Sequence, residues 1–140
     1  EQFPGKLISS EFVDVGPILK GTSPLTNPDE ILEQYEDGNL PGGLEKTFVP
    51  MRNQLFLTIA ANRAYVLNCE YLVTGVCQAD NGGYPDCTQK FIDKFAAVSS
   101  EGTFTKEAGF EGLSVLTPLM NRSKAQSVHL AITTEMSQLY

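Results

Sequence analysis

Apolar residues along this chain fall into short runs separated by polar, proline- and glycine-rich stretches, and the spacing within each run sets the element it predicts. Leu55, Phe56, Ile59, Ala60, Val66 and Leu67 recur at helical spacing after Asn53, whose side chain suits a cap, so a helix is predicted over 53–68. Tyr71-Leu72-Val73-Thr74-Gly75-Val76 follows as a nearly continuous apolar run, the pattern of a parallel strand covered on both faces. Beyond a loop from Cys77 to Pro85, Asp86 with Gln89 three positions on has the spacing of an N-cap. Phe91, Ile92, Phe95 and Ala96 then give the apolar face of a helix ending near Ser99. Leu113-Ser114-Val115-Leu116 predicts a strand stopped by Thr117-Pro118. Ser123-Lys124-Ala125-Gln126 opens a last helix with an apolar stripe of Ala125, Val128, Ala131, Ile132, Met136 and Leu139. Upstream, Glu11–Val15 predicts a short strand between Ser9-Ser10 and Gly16-Pro17. Residues 16–46 hold Pro17, Pro24, Pro28 and Pro41 with Asn27, Asp37, Asn39 and a Gly42-Gly43 pair. They predict a long loop, with one or two helical turns over Asp29–Tyr35.

Strand, loop, helix, strand, helix, strand, helix is the rhythm of a doubly wound, mostly parallel, Rossmann-like α/β sheet. At 140 residues the chain suits one domain spanning 1–140. A start at Glu1 and a finish on Gln138-Leu139-Tyr140, with no stop signal for the last helix, lead us to expect a fold incomplete at both ends. No apolar run approaches the roughly 20 residues that cross a bilayer, so no membrane partner is expected. A formal net charge of -7 argues against a nucleic-acid partner gripped through its phosphates. Cys69, Cys77 and Cys87 are odd in number and widely spaced. That fits a reducing cytoplasm better than a disulfide framework, and no metal is expected on them because they offer no short-spaced ligand pair.

Candidate chemistry gathers where strand-like runs end, the edge at which open α/β sheets bind ligands. Val49-Pro50-Met51-Arg52-Asn53 is expected to place a guanidinium and an amide at a strand-to-helix junction, where backbone N–H groups favour anions. On local sequence alone, a capping Asn beside a surface Arg is the favoured reading. Asp80 and Asp86 flank Gly82-Gly83-Tyr84-Pro85 beyond the Tyr71–Val76 run, so two carboxylates and a stacking ring stand at one edge; Asp86 suits a helix cap and a ligand contact equally. Lys124, in a first helical turn, can reach phosphate as a mobile point charge. His129, the sole histidine, has no nucleophile or carboxylate at a useful spacing and is expected on a helix surface.

Gly75-Val76, Asp80 and Gly83-Tyr84-Pro85-Asp86-Cys87, together with Val49-Pro50-x-Arg52-Asn53 and Pro118-Leu119…Lys124…Val128, resemble the 7-cyano-7-deazaguanine synthase (QueC) family of the ATP-pyrophosphatase, or PP-loop, superfamily. The resemblance implies an adenine nucleotide alpha hydrolase-like fold. It also implies an ATP-dependent ligase that converts 7-carboxy-7-deazaguanine and ammonia to 7-cyano-7-deazaguanine in queuosine biosynthesis, with ATP and Mg, and a homodimer. It would assign Arg52, Asn53 and Lys124 to the nucleotide, and Gly75, Asp80, Tyr84, Pro85 and Asp86 to the deazapurine. Thr88 stands where the family usually has Arg, Asn81 and Gly82 where an aromatic residue and Ser are usual, and Ile132 where Gly is usual. The family's Ser-Gly-Gly-x-Asp-Ser phosphate loop and its four zinc cysteines are absent from this sequence, so this chain alone is expected to be inactive. Another ATP-pyrophosphatase amidating a different carboxylate, or a non-catalytic module that binds a deazapurine or a partner chain, are the alternatives.

Overall fold

The computed structural model of the protein describes residues 10–21, 23–31, 46–78 and 84–134. In chain order these form helix α1 (Arg52–Val66), strand β1 (Tyr71–Val73), a 3-10 turn (Pro85–Cys87), helix α2 (Gln89–Gly102), a second 3-10 turn (Lys106–Ala108), strand β2 (Ser114–Leu116) and helix α3 (Lys124–Thr133). The two strands pair in parallel, Tyr71 opposite Ser114, Leu72 opposite Val115 and Val73 opposite Leu116. Backbone bonds continue the pairing at both ends, from Ser114 N to Glu70 O (2.8 Å) and from Thr74 N to Leu116 O (3.0 Å). Parallel strands need a long crossover, and α2 supplies it.

The parallel α/β class is as expected, but the second helical layer of a doubly wound sheet is not among the described residues. α1 and α2 both pack on the face carrying Leu72 and Val115. On the other face Tyr71, Val73 and Leu116 are 64%, 70% and 47% exposed. The Glu11–Val15 segment is not a strand. It has no regular structure and Phe12 is fully exposed, because an alternating pattern makes a strand only where a neighbour pairs with it. Residues 16–21 and 23–31 run through turns, as a long loop requires; the rest of the predicted helical turns, from residue 32 on, lies outside the described residues.

Helix α1 exists where predicted but buries a different stripe. Leu57, Ala61 and Ala64 face the core, while Phe56, Val66 and Leu67 are 46%, 61% and 50% exposed. Two alanines on the inner face let the helix approach the sheet closely, which the larger apolar residues of the predicted stripe would prevent. The helix ends in a Schellman motif. Asn68 adopts a left-handed φ of 55°, and Cys69 N bonds to Ala64 O (2.8 Å) and Asn68 N to Tyr65 O (3.1 Å).

Two hydrophobic clusters lie beneath the covered face. Ala61, Ala64, Phe104, Phe110 and Leu113 form one, toward the amino ends of the strands; Leu57, Ile92 and Met120 form the other, toward their carboxyl ends. Phe95 and Val115 pack against both. Phe104 and Phe110 meet edge to face at 5.0 Å, and Tyr65 closes the group at 5.1 Å from Phe110. Gly112, at a φ of 116°, is required just before β2: a Cβ there would stand 3.3 Å from Ser100 Oγ, which accepts the Leu113 N–H at 2.9 Å.

Candidate functional site

A short connection joins the end of α1 to the start of β1, so α1 runs back along the sheet and its N-terminus stands at the sheet's carboxyl edge. The loop after β1 and the loop after β2 meet it there. Gln78 N bonds to Met120 O (2.9 Å), and the Cys77 thiol donates to Arg122 O, tying the two loops together. They enclose a cleft of about 720 Å³ whose lining includes Arg52, Asn53, Gly75, Tyr84 and Lys124. Five sequence-predicted residues from four separate segments therefore converge on one opening.

The three helices among the described residues begin differently. Thr88 caps α2, its hydroxyl accepting from Phe91 N at 3.2 Å. Ser123 and Gln126 form a full capping box at α3, as predicted, with Gln126 N to Ser123 Oγ at 3.2 Å and Ser123 N to Gln126 Oε1 at 2.8 Å. α1 has no side-chain cap, and its N-cap Met51 sits at a left-handed φ of 65°. Neither α1 nor α3 has an acidic residue in its first turn. Each instead opens on a cation, Arg52 or Lys124, against the helix macrodipole. Two cations at the disfavoured end of two helices, lining one cleft, suit an anionic ligand.

Asn53 is not a cap. It lies inside the first turn of α1, and its Nδ2 donates to Asp86 O (3.2 Å) and Cys87 Sγ (3.3 Å). Asp86 is not a cap either, because Pro85 starts a 3-10 turn that uses residues 85–87 and delays α2 to Thr88. Asp86 is 9% exposed, its Oδ1 accepts from the Cys87 thiol at 3.9 Å, and it is not among the residues lining the cleft. Pro85 is exposed at the outer side of the same turn. Asp80, with Asn81 and Gly82, lies outside the described residues. Thr88 serves the fold: besides capping α2 it donates to Pro85 O at 3.0 Å.

Tyr84 is held by the segment that leads into α1. Its ring lies 5.6 Å from that of Phe48 at an interplanar angle of 39°, and its hydroxyl bonds with the Thr47 hydroxyl. Sequence reasoning missed Thr47 and Phe48 as site residues, although they lead directly into the Val49–Asn53 run. It also missed Cys87 and Cys77, both of which line the cleft. Burial pushes the Cys87 thiol up in pKa, and the Asp86 carboxylate adds to this; the Asn53 hydrogen bond and the Arg52 charge pull the other way without prevailing. Cys69 is exposed beside the start of β1, at the opposite edge of the sheet. No group of three or more His, Cys, Asp or Glu comes together among the described residues. His129 is exposed on α3. No helix among the described residues is long and apolar enough to cross a membrane.

Comparison with known proteins adds a family. The family described as "Queuosine biosynthesis protein QueC" matches residues 8–139. A protein of Gloeobacter violaceus named 7-cyano-7-deazaguanine synthase is 46% identical over 127 residues, 90% of this chain and 53% of that protein. One of the same name from Alcanivorax borkumensis is 35% identical over 127 residues, 89% of this chain and 54% of that protein. The chain spans about half the length of these relatives.

Proposed function

The chain belongs to the family of queuosine biosynthesis protein QueC, and from that premise we propose that it forms the nucleotide- and deazapurine-facing part of an ATP-dependent 7-cyano-7-deazaguanine synthase working in the cytoplasm. The observation that carries this reading is the convergence of Arg52, Asn53, Lys124, Gly75 and Tyr84 on the one cleft at the carboxyl edge of the sheet.

The cleft fits the nucleotide. The uncapped first turn of α1 offers backbone N–H groups, Arg52 offers a bidentate fork and Lys124 a mobile charge from the facing helix. ATP, when bound, supplies the activation that turns a carboxylate oxygen of the substrate into a leaving group. Arg52 and Lys124 bind and orient phosphate and balance negative charge as it builds. Tyr84 stacks on the deazapurine and fixes its plane, and Asp80 accepts the paired N–H donors of its guanine-type edge. Two substrates held against one another in this way react at high effective concentration. Mg would be held by phosphate oxygens with at most one or two carboxylates, as is usual for that ion.

The test uses the complete gene product containing this sequence, incubated with ATP, ammonium and 7-carboxy-7-deazaguanine. Mass spectrometry should show a product lighter than the acid by the change from carboxylate to nitrile, formed only when all three are present. No product from 7-carboxy-7-deazaguanine, with ATP consumed once a different carboxylate is supplied, would favour a ligase acting on that carboxylate.

A further inference from the structure

Segment 47–53 does more than lead into α1, because it grips the 84–87 turn at three separate points. The Thr47 hydroxyl bonds with the Tyr84 hydroxyl, and the Phe48 ring packs at 5.6 Å from the Tyr84 ring. Asn53 Nδ2 reaches Asp86 O at 3.2 Å and Cys87 Sγ at 3.3 Å. The gripping segment is itself anchored: Val49 is 3% exposed, and Arg52 N bonds back to Val49 O at 3.2 Å.

A tyrosine ring has two side-chain torsions to fix. Phe48 restrains the ring along its flank and Thr47 restrains its far tip, so the plane of Tyr84 is set by residues 36 or more positions earlier in the chain. Stacking on a planar heterocycle depends on that plane, and a site residue acts well only when its own rotamer is locked by neighbours. We infer that Thr47 is a positioning residue for the deazapurine site, with Phe48 and Asn53 completing the clamp that holds the Tyr84–Cys87 turn. This rests on the proposed assignment of Tyr84 to the deazapurine. It makes the helix that carries the phosphate-binding Arg52 also the support of the base-binding turn.

The experiment compares Thr47→Val, which keeps the shape and removes the hydroxyl, with Thr47→Ser, which keeps the hydroxyl. Each is made in the complete gene product and titrated separately with 7-carboxy-7-deazaguanine and a non-hydrolysable ATP analogue. Thr47→Val should weaken the deazapurine roughly tenfold and leave the nucleotide within about twofold, while Thr47→Ser stays close to the parent for both. In the unliganded protein, nuclear Overhauser contacts between the Tyr84 and Phe48 rings should weaken in Thr47→Val and return in Thr47→Ser. Wild-type deazapurine affinity in Thr47→Val overturns the inference, as does equal loss of both ligands, which would mark a general support of the fold. If the parent protein binds nucleotide but no deazapurine, the proposed function falls, and the ring contacts alone then decide whether Thr47 positions Tyr84.

Discussion

The two ends of the sheet formed by β1 and β2 among the described residues are built on opposite plans. At the amino ends of the strands Tyr65, Phe104 and Phe110 interlock ring against ring over Ala61, Ala64 and Leu113. At the carboxyl ends the chain places Arg52, Asn53, Tyr84 and Lys124 around an open cleft. One end is packed by aromatic rings, with a recess of about 520 Å³ between Asn68–Tyr71 and Gly109–Phe110 outside them, and the other is bounded by loops tied to each other by hydrogen bonds, such as Gln78 N to Met120 O at 2.9 Å. A parallel sheet separates the two tasks because every strand arrives at the same edge, so the loops that follow can be polar without burying unpaired groups in the core.

The contrast makes measurable claims. Phe104 is 2% exposed, so Phe104→Ala should cost about 3–5 kcal/mol in urea unfolding. Arg52→Ala, at the open end, should change stability by no more than about 0.5 kcal/mol. Equal losses would mean that the cleft is as much a structural core as the aromatic cluster. In ligand binding the order reverses: Asp80→Asn should weaken the deazapurine by roughly 1.5–3 kcal/mol while sparing nucleotide, and Arg52→Ala should do the opposite. Titration of each variant with each ligand sharpens the proposed division between nucleotide and deazapurine, and a nucleotide loss in Asp80→Asn would erase it. Ser123→Ala removes a cap whose hydroxyl accepts Gln126 N at 3.2 Å, and should cost about 1 kcal/mol by thermal melting. The smallest effect concerns Cys87. Its pKa is raised, so its thiolate, the reactive form, builds up only at a higher pH than in an ordinary thiol. Iodoacetamide should therefore label Cys87 more slowly than the cysteine of an unstructured blocked peptide at pH 8, and the rate–pH curve should be displaced upward. Equal rates would show that burial at the cleft wall is weaker than the structure indicates.

Much of this was legible in the sequence. Continuous apolar runs placed β1 and β2 correctly in kind, and the Ser123–Gln126 box located the start of α3 to the residue. Arg52, Asn53, Gly75, Tyr84 and Lys124 were assembled from motifs, and the fold does bring them to one cleft. What misled was local ambiguity. Asp86 and Gln89 have capping-box spacing, but Pro85 favours a tight turn first, and Thr88 then makes the better cap. Glu11–Val15 alternates like a strand, yet pairing is a property of two segments and no single segment reveals it. Thr47 and Phe48 belong to an informative run, yet the sequence assigns them no role of their own, because their partner Tyr84 is distant in sequence and no spacing rule links them.

The two ends of the sheet are not independent, however differently they are built. Phe95 and Val115 pack against both hydrophobic clusters, so the floor under the cleft and the aromatic cluster share walls. In genetic terms this makes Phe95 the place to seek a conditional allele. A smaller residue there would loosen both clusters at once, leaving a protein that holds its cleft in order at low temperature and loses it on modest warming, although none of the residues lining the cleft has changed.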